Sequence, residues 1–292
     1  MEPLVKHRLP VKGQLFIALG YFLFLFALST LGGDSDMSGI LNDPHMVNMM
    51  KMVQLISVLL IFILPVIGFT LLLRSDRSAF LNMGTRPPLI PFLTAVTICI
   101  VAVPAVAGMS EWNAGLKLPS SFAGLENWMR MKEKSATALT EAFFRDRSAM
   151  GLVINLFVVA FMAALSEELF FRGLLQRLFA ECKMNIHVAI WLSAFLFSAF
   201  HMQFYGFLPR MFLGAVLGYL YAFSGNLWVP IIAHFVNNAF QVVLIHLMDQ
   251  PVDSIVPGET EHVGLPLALL SIAMVAGQLV FLRRYYKRSL GA

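Results

Sequence analysis

The sequence predicts an all-α fold, a polytopic membrane helix bundle of about eight transmembrane helices. Three observations carry this. Of 292 residues, 58% are hydrophobic and only 13% are charged, about half the usual globular share of roughly 25%. Mean hydropathy is +0.75. The apolar residues fall in runs near the length of about 20 residues that a helix needs to cross the hydrocarbon core. Such a chain is not disordered, not a disulfide-stapled secreted domain and not an ordinary soluble enzyme.

Taken in order, the runs at 14–31, 52–73, 89–108, 150–170, 187–204, 209–223, 227–247 and 264–282 read as spans. The first follows Lys6, Arg8 and Lys12, as a secretory signal does, but its apolar stretch is long for that and it reads as a retained helix. The spans at 187–204 and 209–223 are short and imply little tilt or a thinned bilayer. Segment 109–149 is the one sizeable non-spanning piece. From Leu125 to Phe144 it mixes Trp128, Met131, Leu139 and Phe143 with Arg130, Lys132, Glu133 and Lys134. That pattern suits an amphipathic helix on the membrane surface or a solvated helical connector. With no internal repeat, the chain reads as one integral domain in three parts. These are N-terminal helices with an extramembrane segment over 1–149, a core over 150–247, and a last helix with a basic tail over 248–292.

The net charge of +4 sits in short tracts between apolar runs, so it speaks for topology and membrane lipids rather than for a nucleic-acid partner. With the N-terminus inside, the inner segments hold Lys6, Arg8, Lys12, Arg74, Arg77, Arg86, Arg172, Arg177, Lys183, Arg283, Arg284, Lys287 and Arg288. The outer loops carry Asp34, Asp36, Asp43, Asp249, Asp253, Glu259 and Glu261. Both termini are therefore expected in the cytoplasm, with the bacterial cytoplasmic membrane as the expected location. Cys99 lies in an apolar run and Cys182 in a polar joint, which argues against a disulfide.

Chemistry concentrates in 151–250, where only eight of a hundred residues are charged. Three of the eight are Glu167, Glu168 and Arg172. Two adjacent carboxylates beside a spanning run are expensive unless used. Glu168 and Arg172 are four apart, so they share a helix face and can pair. Glu167 points about 100° away and is left to face a cavity, or else both carboxylates sit at the headgroups with Arg172 and Arg177 snorkelling. Two further polar sites interrupt apolar runs. His201 closes Phe197-Ser198-Ala199-Phe200-His201, and His234 shares a helix face with Asn238. Either histidine alone suits an interhelical hydrogen bond, whereas three sites together can supply a base, a proton shuttle and an oxyanion site. Their depths along the spans do not agree unless a helix tilts or starts later. Gly214 and Gly218 form a GxxxG pair, a sign of close helix packing. Motifs of serine hydrolases, zincins and P-loop enzymes are missing, and no paired halves suggest a transporter.

These residues, in this order, resemble the signature of the CPBP family of intramembrane proteases, which includes the type II CAAX prenyl endopeptidases and the bacteriocin-processing and self-immunity proteins. The family pattern EExxxR, FxxxH, HxxxN reads here as Glu167-Glu168 to Arg172, Phe197 to His201, and His234 to Asn238. The resemblance covers roughly 150–247. It implies helices enclosing an intramembrane cavity and an endopeptidase that hydrolyses a peptide bond of a membrane-associated, CAAX-like or leader-peptide substrate with a membrane-embedded or lipidated segment. By the same resemblance Glu167 is the general base for water, His201 positions that water or moves protons, His234 and Asn238 stabilise the oxyanion, and Glu168 and Arg172 support them. No cofactor is expected. The alternative is zinc held by Glu167, His201 and His234, a donor set known at catalytic zinc sites. The alternative function is a non-catalytic membrane immunity or scaffolding protein on the same fold.

Overall fold

The computed structural model describes residues 9–31, 38–74, 80–248 and 263–289. Lys6, Arg8, Arg77, Asp34, Asp36, Asp249, Asp253, Glu259 and Glu261, on which much of the topology argument rests, lie outside the described residues, as do His7 and His262.

The described residues are helical, without strands. We number the main helices α1 (Val11–Leu31), α2 (Pro44–Leu73), α3 (Leu89–Ala114), α4 (Ala123–Phe144), α5 (Ala149–Glu181), α6 (Ile186–Phe200), α7 (Phe207–Ser224), α8 (Trp228–Leu247) and α9 (Leu265–Ser289). Seven are long and apolar enough to cross a membrane, all but α4 and α6. The protein is thus a multi-pass integral membrane protein. The expected eighth span, α6, is a 15-residue apolar helix, short of the roughly 20 residues a crossing takes.

Only 22% of α1 and of α9 is buried against other helices, compared with 50% of α7. α7 therefore occupies the centre, against α3, α6, α8 and α9, while α1 and α9 turn most of their surface outward. Phe16, Leu23, Phe24 and Ile100 are exposed apolar side chains of the kind that lipid covers.

The long helix α5 differs most from the sequence expectation. The run 150–170 ends at the charged cluster, which placed Glu167 near a membrane face and Arg172 in an inner segment. Instead the helix continues to Glu181. Leu169, Phe170 and Phe171 lie within the cluster, Leu174, Leu175, Leu178 and Phe179 follow it, and all seven are buried. These apolar side chains draw the polar group into the packed interior. Leu156–Met162 and Leu169–Gln176 are wound as wider π-type turns on either side of Glu167 and Glu168, a feature common near functional sites. Phe171 packs edge-on against Phe170 and Phe197, with ring centroids 5.2 Å away in both cases.

The GxxxG pair is a close-packing device, as expected. A Cβ on Gly214 would lie 3.2 Å from Ala194 Cβ of α6, and one on Gly218 would lie 2.8 Å from Ile190 Cγ2. Bare backbone also leaves the carbonyls open to polar side chains. Gly214 O accepts from Arg172 Nη2 at 2.7 Å, and Gly218 O accepts from Gln176 Nε2 at 3.0 Å. α5 and α7 are thereby tied together by hydrogen bonds, and Ser193 Oγ of α6 donates to Phe171 O of α5 at 2.8 Å, in a setting where water cannot replace them.

Segment 109–149 contains the expected helix, α4. Its apolar face does not simply rest on the membrane surface. Trp128 packs on Phe204 with the rings tilted at 50° and centroids 5.4 Å apart, Arg130 lies over the Tyr205 ring at 4.8 Å, and Phe143 and Phe144 are buried. α4 thus grips the turn that joins α6 to α7.

Candidate active site

Glu168 and Arg172 are fully buried, and Arg172 Nη1 lies 2.7 Å from Glu168 Oε1. The guanidinium also stacks on the Phe197 ring at 4.7 Å. The expected i, i+4 ion pair is formed, and it is a buried pair rather than a headgroup one. Its second partner is His234, whose Nδ1 sits 2.8 Å from Glu168 Oε1.

Glu167, one residue earlier, points elsewhere, as the helix geometry requires. Its carboxylate lines a cavity of about 560 Å³ with His201, His234, Asn237 and Asn238. The Nε2 atoms of His201 and His234 each lie 3.8 Å from Glu167 Oε2. The depth mismatch is resolved in the fold. α5 runs deeper than the apolar run implied, and His201 ends α6 as its C-cap, with Met202 in the left-handed region just after it.

The partners of the two rings fix their tautomers. Phe197 O can only accept, so His201 Nδ1, 2.8 Å away, carries the proton. Glu168 Oε1, held by Arg172, likewise accepts from His234 Nδ1. In the neutral form each ring then turns an Nε2 lone pair toward Glu167. Three acceptor atoms surround one gap, an arrangement that suits a small species with hydrogens to give. Asn238 Oδ1 accepts from Asn237 Nδ2 at 3.2 Å, which leaves the Asn238 amide N–H groups for another acceptor.

Zinc takes imidazole and carboxylate ligands at about 2.0–2.2 Å. Glu167, His201 and His234 are of the right chemical types, yet among the described residues no three His, Cys, Asp or Glu groups are gathered so as to hold a metal ion.

All six residues picked out in the sequence thus meet in one place. Several others were missed. Cys99 lines the cavity and donates from Sγ to Ala233 O at 3.0 Å, and it is free, like Cys182. Arg210 lines it too and was visible beforehand as one of the eight charged residues in 151–250. Asn113, near the end of α3, holds the turn after His201, donating from Nδ2 to Phe204 O at 2.9 Å and accepting from Leu208 N at 2.7 Å. Nothing in its sequence surroundings marks it.

The fold and the site define a multi-pass helical membrane protein with a carboxylate–imidazole cluster on the wall of a cavity between its helices. Residues 149–240 match the family model described as type II CAAX prenyl endopeptidase, Rce1-like. That segment contains Glu167, Glu168, Arg172, His201, His234 and Asn238, so the resemblance read from the motifs is borne out over it. The chain is also similar to the uncharacterized protein YpbD of Bacillus subtilis strain 168, with 29% identity over 105 residues, 35% of this chain and 49% of YpbD. The match spans about half of that relative's length. No solved structure matches the chain significantly.

Proposed function

We propose that this protein is an intramembrane endopeptidase that hydrolyses a peptide bond in a membrane-associated substrate, with Glu167 activating water. The observation that carries the reading is the convergence of Glu167 Oε2 with the Nε2 atoms of His201 and His234, each at 3.8 Å, on a cavity wall.

A water donating to Glu167 and to one imidazole presents a lone pair to a scissile carbonyl. As it attacks, its proton passes to Glu167, and from there to the leaving amine. His201 is the second acceptor that orients the water. The Asn238 amide donates to the oxyanion. His234 can donate from Nε2 only as an imidazolium, since its Nδ1 proton is committed to Glu168. Arg172 holds Glu168 in place. Such donors are worth more in a water-poor cavity than in bulk solvent.

The substrate is a peptide or protein with a membrane-embedded or lipidated segment, reached from the bilayer of a bacterial cytoplasmic membrane with both termini inside. The catalytic core is 150–247, flanked by 1–149 and 248–292. No cofactor enters this scheme. The zinc alternative uses the same three groups.

The test is comparative proteomics of membrane peptides from cells carrying the wild type, Glu167→Ala or His201→Ala, with insertion checked for each. Products present with the wild type and missing with both variants are expected. Full cleavage by Glu167→Ala would refute the proposal. A cellular phenotype retained by the variants would instead favour a binding role as an immunity or scaffolding protein. Cleavage is expected to persist with a zinc chelator, and its loss would favour the metal route.

A further inference from the structure

The cavity wall carries one cation that the chemistry above does not use. Among the described residues lining it, Arg210 is the only lysine or arginine. Its position is costly in three ways. It is half-buried among apolar helices, where a charge is expensive. It occupies the first turn of α7, the positive end of the helix dipole, where a cation is disfavoured. Among the described residues no carboxylate touches it, although Glu133 and Glu167 lie within electrostatic reach.

What does hold it is neutral. Nη1 donates to Gln203 O at 3.2 Å and Nη2 donates to Gln203 Oε1 at 2.7 Å. This clamp fixes the guanidinium without neutralising it. Gly206 makes the room, since a Cβ there would lie 3.2 Å from Arg210 Nη2. An arginine that only anchored a helix end would snorkel to water or pair with an acid. This one is immobilised on the wall of a cavity of about 560 Å³, within the range of roughly 300–1,000 Å³ seen for small-ligand sites. That volume suits a short peptide segment.

We infer that Arg210 is a carboxylate-binding subsite, which pairs with an anionic group of the peptide in the cavity. That group is either the chain's C-terminal carboxylate or an acidic side chain. The inference rests on the reading of the cavity as a peptide site, and binding rather than cleavage tests it.

Three probes are titrated into the full chain in detergent micelles: acetyl-Leu-Leu-Leu as the free acid, the same peptide as the C-terminal amide, and acetyl-Leu-Glu-Leu-amide. At least one carboxylate probe is expected to bind about ten-fold or more tightly than the neutral amide, the order expected for a charge-assisted pair. Which one does so identifies the source of the carboxylate. In Arg210→Gln that preference is expected to vanish while the neutral amide binds as before. Arg210→Lys is expected to lower the preference several-fold, because a point charge replaces the planar fork. It serves where Arg210→Gln does not fold, and an unchanged preference in it overturns the assignment. Equal binding of all three probes to the wild type, or equal weakening of all three by Arg210→Gln, overturns the subsite and leaves the peptidase reading standing. Binding of none removes the peptide reading of the cavity as well.

Discussion

Glu168 and His234 are joined at 2.8 Å, through the same carboxylate oxygen that receives Arg172 at 2.7 Å. One buried oxygen thus couples the ion pair of α5 to the imidazole of α8. Glu168 fixes which nitrogen of His234 faces Glu167, so a residue that does not line the cavity sets the chemistry of two that do.

Breaking this junction has two separable consequences. Glu168→Gln leaves the Arg172 cation buried without its partner, and a loss of about 3–5 kcal/mol of stability is expected. The Glu168→Gln/Arg172→Met double variant removes both charges and is expected to regain most of that stability. It is not expected to regain cleavage, because His234 no longer has its anion. Thermal unfolding in micelles and the peptide assay, run on both variants, check the two effects.

Glu167→Gln keeps the shape of the side chain and removes its basicity. Cleavage is expected to fall by at least about a hundred-fold, in line with the loss of a general base, with little change in unfolding temperature. A fall in stability matching the fall in activity would mark Glu167 as a structural residue instead.

Gly218 tests the packing of α7 on α5 and α6. A Cβ there would stand 2.7 Å from Gln176 Oε1 as well as against Ile190. Gly218→Ala is expected to destabilise the protein by about 1–3 kcal/mol through overpacking. Gly68→Ala is the control, because nothing lies within 4 Å of the added methyl. It is expected to be neutral or stabilising.

Asn113 holds the turn that carries His201 and is buried. Asn113→Ala strands Phe204 O and Leu208 N, and a cost of about 1–3 kcal/mol is expected. Faster hydrogen exchange at 204–208 and a lower kcat with unchanged KM are the expected readouts. Asn113→Asp still accepts from Leu208 N and is expected to lie between the two.

Glu133, on α4 outside the spanning helices, gives a pH dependence. It accepts from Tyr205 N at 3.3 Å, and burial holds its carboxyl above the ordinary value of 4.5. The folded protein therefore binds this proton more tightly than the unfolded chain does. The contribution of Glu133 to stability is fully present below pH 4.5 and is lost as pH rises through the folded pKa. Glu133→Gln is expected to flatten that part of the pH profile and to make the protein at least as stable as wild type at pH 7. Unfolding temperatures across the acidic range check this.

The sequence by itself determined the solvent, the helical class and the identity of the six clustered polar residues. Scarce charge and long apolar runs admit only a membrane bundle, and each polar residue inside such a run stands out against its cost. The local geometry of one helix also separated Glu167 from Glu168, because a 100° turn per residue is a property of the backbone alone. Tertiary structure decided the rest. An apolar run does not reveal that a helix continues past its charges, so the true depth of Glu167 depended on how Phe170, Phe171 and Leu175 pack. The link from Glu168 to His234 crosses 66 positions. The support of His201 by Asn113 comes from a helix 88 positions away, and the placement of Arg210 on the cavity wall depends on a clamp by Gln203. Such contacts arise from the summed packing of many apolar side chains, which no local pattern records.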